Sequence, residues 1–343
     1  MKWLAILFIA AGAVYILWTE VEMPSTERTS LPVEQEAEET LATLKEEVPP
    51  VQEKLDTYRE RSEDDIGHLL GPPSYKAQSE YGYEWWVYDQ PASSFKQVGM
   101  KEGRVVTAVF LEEGLTVEGM TIGENYSTIA SRVEWKDTYP VDREGSYRFE
   151  LTEQDLLERP LVQVDGEWSM QLYFDTFTKK LAGVRLIRND ILLAMQPYKV
   201  VYRGSLPTPN PLSRQGWQVV EGGMEKQILS LTNQLRTVHG VKGLRLHDEA
   251  SRVAFLHSRD MNENNYFSHY SPDGNGVKER LEGIPYRQAG ENIAAQYIDA
   301  TAAVFGWLNS EGHRKALLHP DYTHIGIGVH QRYYTQNFLT VEE

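Results

Sequence analysis

The stretch that decides the fold is GWLNSEGHRKALLHPDYTHIGIGV, residues 306–329. Its first part continues a run over 300–309 in which Ala303, Val304, Trp307 and Leu308 recur at helical spacing, so a helix is expected there. Ser310-Glu311-Gly312 interrupts it. Residues 314–318 supply one more helical turn, which His319-Pro320 ends because the residue before proline is pushed out of the helical region. Ile325, Ile327 and Val329 then alternate with Gly326 and Gly328, the pattern of a strand packed closely against a neighbour. Glu311 and His313 are thereby placed at a helix break, where unpaired backbone groups and polar side chains converge.

Two upstream patches share that character. FSHYSPDG (267–274) sets His269 before the turn-forming Ser271-Pro272-Asp273-Gly274, and AGENIAAQY (289–297) sets Glu291 after Gly290. Loops of this composition bring backbone and side chains close to a ligand.

In their order, FSHYSPDG, GEN and the run from Trp307 through Ser310, Gly312-His313-Arg314, Leu317-Leu318 and Pro320 to Ile325-Gly326 and Gly328 resemble the CAP (SCP-like) superfamily in its bacterial form. The resemblance covers roughly residues 224–343. It implies an α-β-α sandwich with a cleft lined by two histidines and two acids. Carried over by motif, the histidines are His269 and His313 and the first acid is Glu291. The fourth position departs from the pattern: members with the full set have glutamate three residues after the tryptophan, where this chain has Ser310 with Glu311 beside it.

Totals narrow the rest. A chain of 343 residues suits two domains plus a tether, and 41% hydrophobic with 11% aromatic residues is ample core material. The net charge of -16 argues against a nucleic-acid partner, which needs a basic footprint. With no cysteine, thiol nucleophiles, thiolate metal sites and disulfides are excluded. The secreted animal and plant CAP proteins usually carry disulfides, so this absence resembles the bacterial members.

At the N-terminus, Lys2 precedes WLAILFIAAGAVYILW, an uncharged run spanning roughly 24 Å as a helix. It reads as a transmembrane anchor over 1–19, with Trp3 and Trp18 at the interfaces and Lys2 inside. That makes the protein single-pass with its folded parts on the extracellular side. Secretion after cleavage near Ala11-Gly12-Ala13 is the alternative. Residues 20–62 read as an acidic, disordered tether: between 20 and 65 there are 15 acidic and 5 basic residues, and four prolines.

From about 63 to 204 the pattern changes to short alternating runs separated by glycine. Residues 81–88, 95–100, 105–111, 147–151, 168–174 and 181–187 are expected strands, with turns at Lys101-Glu102-Gly103 and 176–180. Ile122-Gly123 echoes Ile66-Gly67, so a faint internal duplication of mixed α/β units is expected. IGHLLGPP and EYGYEWWVY resemble the CAP-associated N-terminal domain of Gram-positive bacteria. The aromatics of 81–88 serve either a sheet core or stacking on a glycan. Residues 205–223, with Pro207, Pro209 and Pro211, read as a linker. Amphipathic helices follow over 224–239, capped by His239-Gly240, and over 248–264, where His257 lies on the packed face and reads as a structural histidine.

The expected fold is therefore α+β: a C-terminal α-β-α sandwich over 224–343, preceded by a separate mixed α/β domain and a transmembrane helix. Its chemistry rests on His269, Glu291, Glu311 and His313. Two imidazoles and a carboxylate are an adequate set for a divalent cation such as zinc, with His269 and His313 as ligands. The same groups without metal suit acid-base work near neutral pH. They also suit a purely structural hydrogen-bonded network. Three functions stay open: a module binding an envelope ligand or divalent cation, a hydrolase, and a protein-interaction domain. No GxSxG occurs to supply a nucleophile.

Overall fold

The computed structural model describes residues 52–91, 94–141 and 146–341. The expected anchor and most of the tether lie outside them. Among the described residues, no helix is long and apolar enough to cross a membrane.

The first half is built on a seven-stranded antiparallel sheet. Its strands are β1 (Tyr75–Gln78), β2 (Glu84–Tyr88), β3 (Lys96–Lys101), β4 (Arg104–Phe110), β5 (Leu161–Gln163), β6 (Trp168–Asp175) and β7 (Lys180–Arg188). They lie in the order β5-β6-β7-β4-β3-β2-β1. The β3–β4 turn has Glu102 at φ 51° and Gly103 at φ 73°, the paired left-handed conformation that a tight two-residue hairpin demands.

The two halves of this sheet meet at the β4–β7 pair. Each half carries the same local device. Ser62 bridges Arg104 just before helix α1 (Glu63–Leu70), which its side chain caps; Asn125 bridges Lys180 just before helix α2 (Tyr126–Ala130), at the N-cap position but without a side-chain cap bond. Val105 N donates to Arg61 O at 3.1 Å, and Leu181 N to Glu124 O at 2.8 Å. These matched bridges fit a duplicated unit.

The second half forms three layers. Strands β8 (Arg245–Leu246), β9 (Gln288–Ala295), β10 (His324–His330) and β11 (Tyr333–Thr340) lie in the order β8-β10-β11-β9. Helix α3 (Arg214–Val238) covers one face, where Ile228, Leu231 and Leu235 share a core with Ile325, Ile327 and Val329. Helix α4 (Asp248–Glu263) covers the other face so closely that a Cβ on Gly326 would sit 2.2 Å from the Ala250 carbonyl carbon, and one on Gly328 1.9 Å from Phe255 N. Because β8 pairs with only His324 and Ile325, the rest of that β10 edge needs other acceptors. Ser251 Oγ takes Ile327 N at 3.0 Å, Glu225 takes Val329 N at 3.0 Å, and Glu221 takes Gln331 N at 2.8 Å.

Three expectations are corrected. Residues 214–223 are not linker but the first turns of α3, capped by Ser213; of their glycines Gly223 serves packing, since a Cβ there would lie 2.9 Å from Ala77 Cβ in β1. The tether ends earlier than 62, because Tyr58 is fully buried and packs edge-on against Phe110 at 5.1 Å. Nor are the two halves separate. One core runs from Trp85 and Val106 through Ile228 to Trp307, and the described residues form one compact unit.

Candidate functional site

Helices α5 (Ala300–Leu308) and α6 (Glu311–Leu317) follow each other with only Asn309 and Ser310 between. Asp299 caps α5 by accepting Ala302 N at 2.9 Å. Ser310 is the extended N-cap of α6, so Glu311 is already helical. This corrects the expected start at 314 and settles where Glu311 points. Its carboxylate is 73% exposed and pairs with Lys315 one turn on, at 2.9 Å, not with the other three groups. Ser310 makes no capping side-chain bond.

His269, Glu291 and His313 do come together. His269 Nδ1 lies 2.8 Å from Glu291 Oε1, and the His269 and His313 ring centroids are 6.5 Å apart. The Glu291 carboxylate is only 2% exposed, whereas the His269 side chain is 48% exposed, so the cluster is entered past His269. Phe267 and Tyr270, within two residues of His269 in the chain, are exposed.

Two residues that the sequence reading passed over hold the cluster. Arg280 donates to Glu291 Oε2, to His269 O at 3.0 Å and to Asn275 O at 2.9 Å, fastening the 269–280 loop to β9. Asn292 is turned to the opposite side of β9 from Glu291 by strand alternation, and its Nδ2 donates to His313 O at 3.1 Å. The GEN motif marks Asn292. Nothing in the local sequence marks Arg280.

The electrostatics follow from these partners. Burial pushes the Glu291 carboxyl up, but the His269 hydrogen bond and the Arg280 charge and hydrogen bond outweigh it, so it is held below the usual carboxylate range. Burial, with His269 beside it, drives His313 down to about 4, so it is neutral at pH 7. His257 is buried and donates through Nε2 to Ser268 O at 3.1 Å.

For a shared metal, bonds of about 2.1 Å to each imidazole would bring the ring centroids to roughly 5 Å, closer than the observed 6.5 Å. Both Glu291 oxygens are already engaged. Among the described residues, no three His, Asp or Glu side chains come together as a ligand set.

Behind the cluster, Arg314 reaches into the first half. It pairs with both oxygens of buried Asp175 at 2.9 Å, while Asn309 Oδ1 accepts Thr176 N at 2.9 Å. The residues on both sides of the Ser310 break are thus anchored on the end of β6.

This fold and site have counterparts. Residues 60–198 match the CAP-associated N-terminal family and 229–342 the cysteine-rich secretory protein family. Over 279 residues, 80% of this chain and 80% of the relative, the sequence is 44% identical to an uncharacterized membrane protein, YlbC, of Bacillus subtilis (strain 168). The chain belongs to the CAP family. Its cysteine-free composition does not stand in the way, because the helix–sheet–helix packing described above needs no disulfide. The crystal structure of an extracellular SCP-domain protein from Bacillus anthracis superposes with a TM-score of 0.79 at 40% identity, covering 83% of this CAP chain and 94% of the other. A cysteine-rich secretory protein from Staphylococcus aureus shares the fold, with a TM-score of 0.73 at 22% identity over 85% of this chain and 97% of that one. Both halves are inside these alignments, in keeping with their common core.

Proposed function

We propose that this CAP protein is tethered to the membrane by residues 1–19, faces outward, and binds a cell-envelope ligand at the His269–Glu291–His313 cluster without turning it over. The observation that carries the reading is the state of Glu291. Both its oxygens are occupied and its carboxyl is held ionised, whereas a general base works best with a pKa near the operating pH. His313, at about 4, also lies below that range. What the cluster offers at neutral pH is a neutral imidazole and a half-exposed one, beside the exposed Phe267 and Tyr270. That mix suits hydrogen bonding and stacking on a wall polymer. The membrane-protein name of YlbC and the extracellular relative from B. anthracis support the placement.

The test is co-sedimentation of the purified full chain with Bacillus cell-wall sacculi. Wild type is expected to pellet with the sacculi, to release no soluble fragments and to keep its affinity in chelator. The His269→Ala/His313→Ala double variant should lose most of the binding. Retained binding by the double variant rejects the site. Release of wall fragments revives the hydrolase reading, and loss in chelator revives the metal reading.

A further inference from the structure

A groove of about 610 Å³ opens at the end of the second sheet where β8, β9 and β10 begin and β11 ends. That volume is in the range that holds a small organic ligand. Three cations, Lys242, Arg245 and Arg287, line it against one acid, Asp321, and all four residues are exposed. The backbone under each cation is fixed. Arg245 N donates to Thr323 O at 3.0 Å and Arg287 N to Thr340 O at 2.8 Å, so the two arginines stand on opposite sides of the β10–β11 pair. Lys242 O accepts Arg236 Nε at 2.7 Å. Behind that wall lies a charge that no acid offsets. Arg236 is fully buried, and its other donors also go to carbonyls: Leu317 O at 2.8 Å, His319 O at 3.1 Å and Tyr322 O at 3.4 Å. Among the described residues no carboxylate pairs with it, although a buried charge is ordinarily paired. Burial lowers its pKa only to about 10, so it stays charged at pH 7. Lys242 and Tyr322 line the groove, so Arg236 adds to the positive potential there without touching what fills it.

We infer that this groove is a second binding site, distinct from the His269–His313 cluster, for a phosphate ester carried on a polyol. The guanidinium forks of Arg245 and Arg287 and the point charge of Lys242 suit phosphate oxygens. Asp321, the one acid of the lining, accepts from a polyol hydroxyl. In a chain of net charge -16, a locally positive hollow draws anions to one place. Arg245 and Arg287 also make contacts within the chain, so a ligand adds to or exchanges with those contacts. A phosphodiester polymer fits the groove better than a lipid headgroup does, because none of the exposed large apolar side chains lines it to enter a membrane.

The probe is glycerol 3-phosphate, titrated into the full chain in phosphate-free buffer and non-ionic detergent, with ¹⁵N-labelled arginine side chains as the signal. The Nε–H resonances of Arg245 and Arg287 are expected to shift with saturable binding, and glycerol alone should move neither. Lys242→Gln/Arg287→Gln should weaken binding about tenfold or more, read at Arg245. Arg245→Gln, read at Arg287, covers the case in which that double variant does not fold. Glu342 and Glu343 follow the lining Thr340 in sequence, so Glu342→Gln/Glu343→Gln should bind at least as tightly as wild type. Lys226→Gln, an exposed lysine outside the groove, and His269→Ala/His313→Ala should leave binding unchanged. No saturable shift, or undiminished binding by the groove variants, overturns the inference. So does an equal loss in Lys226→Gln, which is general charge attraction, or a loss in the histidine variant, which places the anion at the cluster. Soluble poly(glycerol phosphate) should displace the probe; displacement by phosphatidylglycerol bicelles alone overturns the polymer in favour of a lipid headgroup. Loss of sacculus binding in the cluster variants is a separate outcome and does not bear on the groove.

Discussion

His313 is a neutral imidazole in the folded chain because its ring is mostly withdrawn from water and faces His269, and this has a measurable sign. A histidine whose folded pKa is depressed binds fewer protons when folded than when unfolded. Between its ordinary 6.5 and about 4 the unfolded chain is therefore favoured as pH falls. The shift caps the effect at roughly 3 kcal/mol, less after allowance for its partial exposure. Glu225, which burial beside Glu221 pushes up to about 7, acts oppositely over 4.5 to 7, so total stability hides the His313 contribution. The difference between chains shows it. Urea unfolding at pH 7 and pH 5 should find that wild type loses more stability on acidification than His313→Asn, by about 1–2 kcal/mol. Equal losses would mean that the ring is not desolvated. Glu291 works below this window: its lowered carboxyl adds stability above the ordinary carboxylate pKa that is lost only under stronger acid.

At the scale of elements, the glycines of β10 are the sharpest constraint. Gly326 and Gly328 face α4 backbone at distances no Cβ tolerates, and backbone, unlike a flexible side chain, cannot step aside. Gly328→Ala should force α4 off the sheet and cost at least 3 kcal/mol or so, read as a large fall in the denaturant midpoint. Gly312→Ala, where a Cβ meets nothing, should leave stability within about 0.5 kcal/mol of wild type or raise it, since alanine is the better helix former. Both the strand and its tight packing were legible, because alternation of apolar residues with glycine is local information. His269, Glu291 and His313 were legible through their motifs. The direction of Glu311 was not: whether α6 begins at 311 or 314 turns a side chain from cleft to solvent, and helix boundaries are the least legible feature of a sequence. The first turns of α3 were hidden for a related reason. Gly216, Gly222 and Gly223 weaken helix propensity, and only the approach of β1 explains Gly223. Arg280 was invisible because its partners, Glu291 and two loop carbonyls, converge only after folding.

For the whole molecule the decisive contacts are polar and aromatic ones sealed between the halves. Arg185 of β7 is 1% exposed and meets Asp299, the cap of α5, at 2.6 Å; Gln97 bridges Gln227 and Thr301 at 2.8 and 3.0 Å; Tyr173 stacks on Phe305 at 4.5 Å. A sequence shows two compositional segments at this point but not that each completes the other's core, since neither partner of these pairs is near the other in the chain. Two consequences follow. Calorimetry of the full chain should show a single cooperative transition for residues 52–341, whereas residues 205–343 expressed alone should lack a sharp transition, because the α3 and α5 faces that meet the first half would be bare. Replacing Arg185 by methionine leaves Asp299 buried without its cation, which costs about 3–5 kcal/mol, whereas the double change Arg185→Met/Asp299→Asn keeps the α5 cap and removes the orphaned charge. The double variant should recover at least half of the single variant's loss in chemical unfolding. If the double change proves no more stable than Arg185→Met alone, then the pair does not join the halves through charge, and their union rests on the apolar core between Trp85, Ile228 and Trp307.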